Sequence, residues 1–166
     1  MDPPIISLVT DVMKVNLGEL GFTWTGHGPP IPGSPEPLQI PLPVGCLLDA
    51  MHKCSGMYRE RFGPLLDHAN PQLGAYDMQL GLFSSELFRD GVNWGRIVAF
   101  FSFGSSMGIN LAKQGINPGP MCRMLSETLE RLAGPWIRDH DGWDGLVDWW
   151  LTRGDWSIWN LQCSIL

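Results

Sequence analysis

The chain has 166 residues, 44% hydrophobic and 17% charged, with a net charge of −6 and a pI near 5.0. That length suits one domain with a sizeable core, and so apolar a composition excludes a disordered chain. The acidic balance and 11 scattered Lys and Arg exclude a nucleic-acid binder, which needs cations to displace the counterions on phosphate.

The N-terminus, Met1-Asp2-Pro3-Pro4, carries an acid and two prolines where a signal peptide needs basic residues. From about residue 4 to 20, Ile5, Leu8, Val9, Val12, Met13 and Leu20 recur at three- and four-residue steps, which predicts an amphipathic helix closed near Gly18 and Gly21. Residues 25–43 hold seven prolines and three glycines, a density that predicts a loop. One helix precedes that loop, so it joins helix 1 to helix 2 within a single domain spanning 1–166.

Over residues 44–62 an apolar stripe, Leu47, Met51, Cys54, Tyr58, Phe62 and Leu65, runs at spacings of 4, 3, 4, 4 and 3. Asp49, Lys53, Arg59 and Glu60 take the opposite face, and Gly63-Pro64 is expected to end or kink this second helix. Residues 67–81 are weakly patterned and predict a short helical turn or two. Residues 82–89 predict a short amphipathic helix broken at Asp90-Gly91.

Asn93 then stands as N-cap of a helix over 93–112 in which Arg96 is the only charge. Trp94, Ile97, Val98, Phe100, Phe101, Phe103, Met107, Ile109 and Leu111 surround its axis. A helix apolar all round is either a membrane span or the centre of a bundle, and the many Gly and Ser here favour a buried helix that its neighbours approach closely. After a turn at 115–120, Met121, Leu125, Leu129 and Leu132 mark a helix expected to close at Gly134-Pro135. Helical pieces follow at Trp136-Ile137 and over 142–151. Nothing alternates with period two, so the expected fold class is all-α, with amphipathic helices around one hydrophobic helix.

Cys46, Cys54, Cys122 and Cys163 show no metal-ligand spacing and are too sparse for a disulfide framework, which predicts reduced thiols. Asp139, Asp141, Asp144 and Asp148 lack the His or Cys set that a metal or acid–base site needs, and their spacing suits an exposed acidic face. No catalytic residue, metal or cofactor is expected. Cys163-Ser164-Ile165-Leu166 imitates a prenylation box, with Ser in the first aliphatic slot and no upstream polybasic run.

Residues 86–104, with Asn93-Trp94-Gly95-Arg96 at their centre, closely resemble the first homology motif of the B-cell lymphoma 2 (Bcl-2) family of apoptosis regulators. Residues 136–148 look like its second motif, with Trp136-Ile137 and Gly142-Trp143-Asp144 at the family spacing. Residues 6–24, ending Leu20-Gly21-Phe22-Thr23-Trp24, are similar to the fourth. The third motif departs from the pattern. In the family's death-inducing helix a leucine is followed, after three residues, by a small residue and then Asp. Leu47 fits that start, but Met51 and His52 occupy the two later places, leaving no carboxylate for a partner's arginine.

The resemblance implies a bundle of about eight helices with the fifth at its centre, and a hydrophobic groove between the second to fifth and the last. That groove receives an amphipathic helix through anchors at i, i+3 or i+4, and i+7. Carried over position by position, its lining would be Cys54, Tyr58, Phe62, Leu65, Leu87, Val98, Ala99 and Phe103, with Trp150 in place of a tyrosine at the groove's end. For each of these, ordinary core packing is the alternative. Arg96 is the sharpest candidate, because a cation near a helix N-terminus opposes the helix dipole. Its implied role is to meet the partner's Asp, against the alternative of a structural ion pair or simple exposure. Asn93 and Gly95 combine a partner contact with cap and close-approach roles.

The departure at His52, with the fourth-motif resemblance and the Glu86-to-Asp90 lead-in, favours the pro-survival branch, a receptor of pro-apoptotic death-motif helices, over a pore-forming pro-death member; an acid-cluster enzyme is the remote alternative. The resemblance further implies a cytoplasmic protein associated with the mitochondrial outer membrane or endoplasmic reticulum through a tail beyond this sequence. It is compatible with a cellular or a viral homologue.

Overall fold

The computed structural model describes residues 2–33, 39–67 and 73–152, with the side chains of 57–59, 61–67 and 73–75 outside the description. Among the described residues there are six helices and one two-residue hairpin, an all-α bundle with fewer helices than the eight expected.

Helix α1, Ile5–Glu19, enters through Pro4 in an extended conformation and buries Ile5, Leu8, Val9, Val12, Met13 and Leu17 along one stripe. Gly21, at φ 85°, turns the chain out of it. Strand β1, Phe22–Thr23, pairs antiparallel with β2, Ile31–Pro32, so the proline-rich loop folds back on itself at its start. The indole N–H of Trp24 donates to Gly28 O and to Asn117 Oδ1, both at 3.2 Å. That ring ties the loop to the turn between the fourth and fifth helices.

Helix α2, Leu42–Asp67, is longer than its periodicity predicted. It begins inside the proline-rich stretch and carries its helical path through Gly63-Pro64. A proline removes one donor and crowds one carbonyl, which interrupts a helix only when the rest of the pattern fails to sustain it. Helix α3, Leu73–Leu87, runs as one element through the weakly patterned stretch and into the short helix expected from residue 82. Tyr76, Leu80, Phe83 and Leu87 form one buried stripe at steps of 4, 3 and 4, and Gly81 lies between them without breaking it. The outer face of α3 leaves Met78 and Leu82 exposed one turn apart.

Helix α4, Trp94–Lys113, is the central hydrophobic helix and packs against α1, α2, α3 and α5. Its neighbour α5, Gly119–Asp139, starts with Pro120 in its first turn, where a missing N–H costs nothing. Contrary to expectation it continues through Gly134-Pro135. Ala133 and Ile137 are buried on either side, and Arg138 Nη1 reaches Glu130 Oε1 at 2.6 Å across the proline. Gly134 carries no Cβ where one would press on the Glu130 carboxylate. Helix α6, Gly142–Leu151, follows after Asp141 in the left-handed conformation (φ 67°). Gly145 is required there: a Cβ would run into the His140 carbonyl and lie 3.0 Å from the Trp94 ring. Among the described residues no helix is long and apolar enough to cross a membrane.

Candidate functional site

The site predicted from sequence centres on the start of α4. Asn93, extended at φ −150°, accepts the Arg96 backbone N–H on Oδ1 at 2.8 Å, the N-cap that its position foretold. The Arg96 side chain turns back along the helix and Nη1 donates to Gly91 O at 2.8 Å. Gly91 takes φ 116°, a conformation that glycine tolerates and that directs its carbonyl toward the guanidinium. Arg96 is only 6% exposed. The expected alternative of simple exposure therefore does not hold. The carbonyl outside the helix gives this cation an acceptor at the helix end that by itself would repel it.

Cys54, Leu87, Val98, Ala99 and Phe103 are all buried in one core cluster, and Gly95 is buried with them. The structure thus brings these expected lining residues together as packed core. Tyr58, Phe62 and Leu65 stand on the part of α2 whose side chains lie outside the described residues. Trp150, half-buried on α6, packs against the same cluster, and its indole N–H donates to Asp49 Oδ2 on α2 at 2.7 Å.

Two contributors were missed from sequence. Phe83 lies face to face with Phe103, ring centroids 4.0 Å apart and planes 6° from parallel. The Leu80, Phe83, Leu87 stripe would have found it had Gly81 not been read as a boundary. Asp49 and its neighbour Lys53, 3.5 Å away, stand on the face opposite the apolar stripe, and no periodicity announces their contact with α6.

Burial pushes the Cys46 thiol up, with Asp49 adding to the effect, so it stays protonated near neutral pH. Burial likewise pushes Cys122 up to about 12, against the opposing charge of Arg123. Asp139, Asp141, Asp144 and Asp148 are exposed at the end of α5 and along α6, and the described residues contain no group of three or more potential metal ligands. A polar cavity of about 280 Å³ lies at the α5–α6 corner, lined by Asp2, Pro3, Arg138, Asp141, Gly142 and Asp144, none of them an expected lining residue.

Residues 47–143 match the family model described as apoptosis regulator proteins, Bcl-2 family. The chain is 46% identical over 65 residues to apoptosis regulator Bcl-2 of Gallus gallus, a stretch covering 38% of this chain and 28% of the relative. It is 37% identical over 97 residues to Bcl-2-like protein 1 of Rattus norvegicus, covering 55% and 40%. Against apoptosis regulator R11 of Xenopus laevis it is 31% identical over 103 residues, covering 61% and 50%. The matched stretches thus span between 28% and 50% of these three relatives. The family match runs from the buried Leu47 on α2, through the capped Arg96, to Trp143 at the start of α6, and on that match the chain belongs to the Bcl-2 family of apoptosis regulators.

Proposed function

We propose that the protein is a pro-survival regulator that sequesters the amphipathic death-motif helix of pro-apoptotic relatives in a groove bounded by α2, α3, α4 and α6. Held there, the helix no longer promotes permeabilisation of the mitochondrial outer membrane. The observation that carries this reading is the state of α2. Leu47, Ala50, Met51 and Cys54 are buried in the protein's own core, while His52 is exposed where a death-inducing helix would present its Asp. A segment so packed, and lacking the carboxylate, is a poor donor and leaves the receptor role. Relatives named as apoptosis regulators support the broader placing in the control of apoptosis.

In this reading Leu87, Val98, Ala99 and Phe103, packed in the core of the free protein, become the apolar floor when a partner helix enters and α3 gives way, and Phe83 joins them. Arg96, poised beneath the α3–α4 turn, supplies the cation for the partner's Asp. The protein would act at the cytoplasmic face of the mitochondrial outer membrane or the endoplasmic reticulum.

Calorimetric titration with 25-residue peptides bearing the leucine, three residues, small residue, aspartate pattern tests the proposal. At least one such peptide is expected to bind with sub-micromolar affinity. Arg96→Ala is expected to weaken it by about 2–5 kcal/mol, the usual cost of removing one side of a desolvated charge pair. No sub-micromolar binding, or an Arg96→Ala protein that binds like the parent, would overturn it. Leakage of liposomes caused by the protein alone would favour the pore-forming alternative.

A further inference from the structure

Both ends of α6 are held by carboxylates from distant parts of the chain. At its start Asp141 provides no side-chain cap, and Asp2 Oδ1 accepts the Trp143 backbone N–H at 3.0 Å instead. In its last turn Trp150 donates its indole N–H to Asp49 Oδ2 of α2 at 2.7 Å. Lys53, one turn along α2 from Asp49, completes a triangle: its Nζ is 3.5 Å from the Asp49 carboxylate and 5.4 Å from the centre of the Trp150 ring. Between the two clasps Trp143 and Leu146 are anchored in the core.

The two clasps differ in what they hold. Asp2 holds backbone, at a corner lined by none of the expected lining residues. Asp49 holds a large side chain, that of Trp150, itself an expected residue of the groove's end, so this triangle stands at the α2–α6 edge of the candidate groove. An indole held by a charge-assisted hydrogen bond, beside the Trp149 ring at 5.9 Å and with an ammonium over its face, has its orientation set before anything binds. Released, the same ring must be ordered at the moment of binding, which weakens association. With the Asp49 and Lys53 side chains 46% and 44% exposed, water competes for both groups and the effect is moderate.

We propose that Asp49 is a positioning residue of the groove, setting the Trp150 indole at the α2–α6 edge so that an incoming amphipathic helix meets a ring already in place. The inference rests on the groove reading above and adds a residue to it.

The test is calorimetry on the full chain, using the tightest-binding peptide of the panel, with Asp49→Ala, Asp49→Asn, Trp150→Phe and the Asp49→Ala/Trp150→Phe double variant. Asp49→Ala and Trp150→Phe are each expected to weaken binding about five- to tenfold, the range for one side chain left to be ordered. The double variant should be no worse than either single one. Asp49→Asn, which keeps a carbonyl acceptor, should stay within about twofold of the parent. Asp2→Ala should lower the thermal midpoint and leave affinity unchanged. In 15N-labelled protein, the indole N–H signal identified by its loss in Trp150→Phe should shift in Asp49→Ala and far less in Asp49→Asn.

Parent-like binding by both single variants, or losses that add in the double, would overturn the inference. So would an indole signal indifferent to Asp49. If the parent binds and Arg96→Ala does not, while Asp49→Ala binds normally, the positioning role alone falls. If no peptide binds the parent, the groove reading and this inference fall together.

Discussion

The two halves of α4 pack by opposite means. In residues 94–103 each aromatic side chain meets another ring. Trp94 lies 5.0 Å from Trp136 and 6.0 Å from Trp143, Phe100 6.1 Å from Phe88, Phe101 6.1 Å from Trp143, and Phe103 stacks on Phe83. In residues 104–113 the helix offers hollows. Gly104 lies under the Leu125 methyls, where a Cβ would come within 2.7 Å, and Gly108 lies under the end of Met13. Ser105 accepts the Asn16 side-chain N–H at 2.9 Å. One half projects bulk into α3, α5 and α6, and the other receives bulk from α1 and α5. A single helix therefore meets its neighbours in two ways, giving bulk on its first turns and receiving it on its last.

The comparison predicts opposite sensitivities. Truncation should hurt most in the first half. Phe100→Ala, at a fully buried ring, is expected to cost about 3–5 kcal/mol in chemical denaturation. A loss below about 1 kcal/mol would mean that the aromatic contacts contribute little. Enlargement should hurt in the second half. Gly108→Ala normally gains up to about 1 kcal/mol from helix propensity. Here its Cβ would meet the Met13 thioether and terminal methyl, and a net destabilisation of about 1–3 kcal/mol is expected. The conflict is with the flexible end of one side chain, so the penalty should shrink or reverse in a Met13→Ala background. Equal penalties in both backgrounds would break the idea of a hollow filled by Met13.

Much of this contrast was legible in the sequence. The aromatic rings of α4, its Asn93 cap and its lone Arg96 follow from spacing and charge, and the small residues after Ser102 announce close neighbours. Which neighbour fills which hollow did not follow, because Met13 and Leu125 reach α4 only through tertiary packing. The helix ends misled at Gly81, Gly63-Pro64 and Gly134-Pro135. Local propensity says stop at each, and at Gly81 and Pro135 buried side chains on both sides show how packing overrides it. The candidate site was read in the same partial way. Arg96, Asn93 and Leu87 came from the motif, but the Gly91 carbonyl under Arg96 and the Asp49–Trp150 bond are backbone and long-range contacts without a sequence signature.

The entry to the first half gives a smaller effect. Asn93 satisfies the Arg96 backbone donor at 2.8 Å, so Asn93→Ala should cost about 1 kcal/mol of stability. Asn93→Asp should be neutral or slightly stabilising, because a carboxylate also suits the positive end of the helix. Denaturation midpoints in low and high salt separate the two contributions. The hydrogen bond persists in salt, and the extra gain of Asp over Asn should fade.

The smallest effect probes the second half through pH. Cys122 sits on α5 less than one turn before Leu125, the side chain over Gly104, and burial pushes its thiol from 9.0 to about 12. The folded protein keeps this proton where the unfolded chain releases it. The contribution to stability is therefore intact below about pH 9 and is lost as the pH climbs toward about 12. At about pH 9.5 the loss amounts to less than about 1 kcal/mol. Cys122→Ala removes the titrating group and should flatten the alkaline limb of stability against pH, with little change at pH 7 beyond its packing cost. An unchanged alkaline limb would mean that water reaches the thiol, and that the seam between α4 and α5 is looser than the hollow at Gly104 requires.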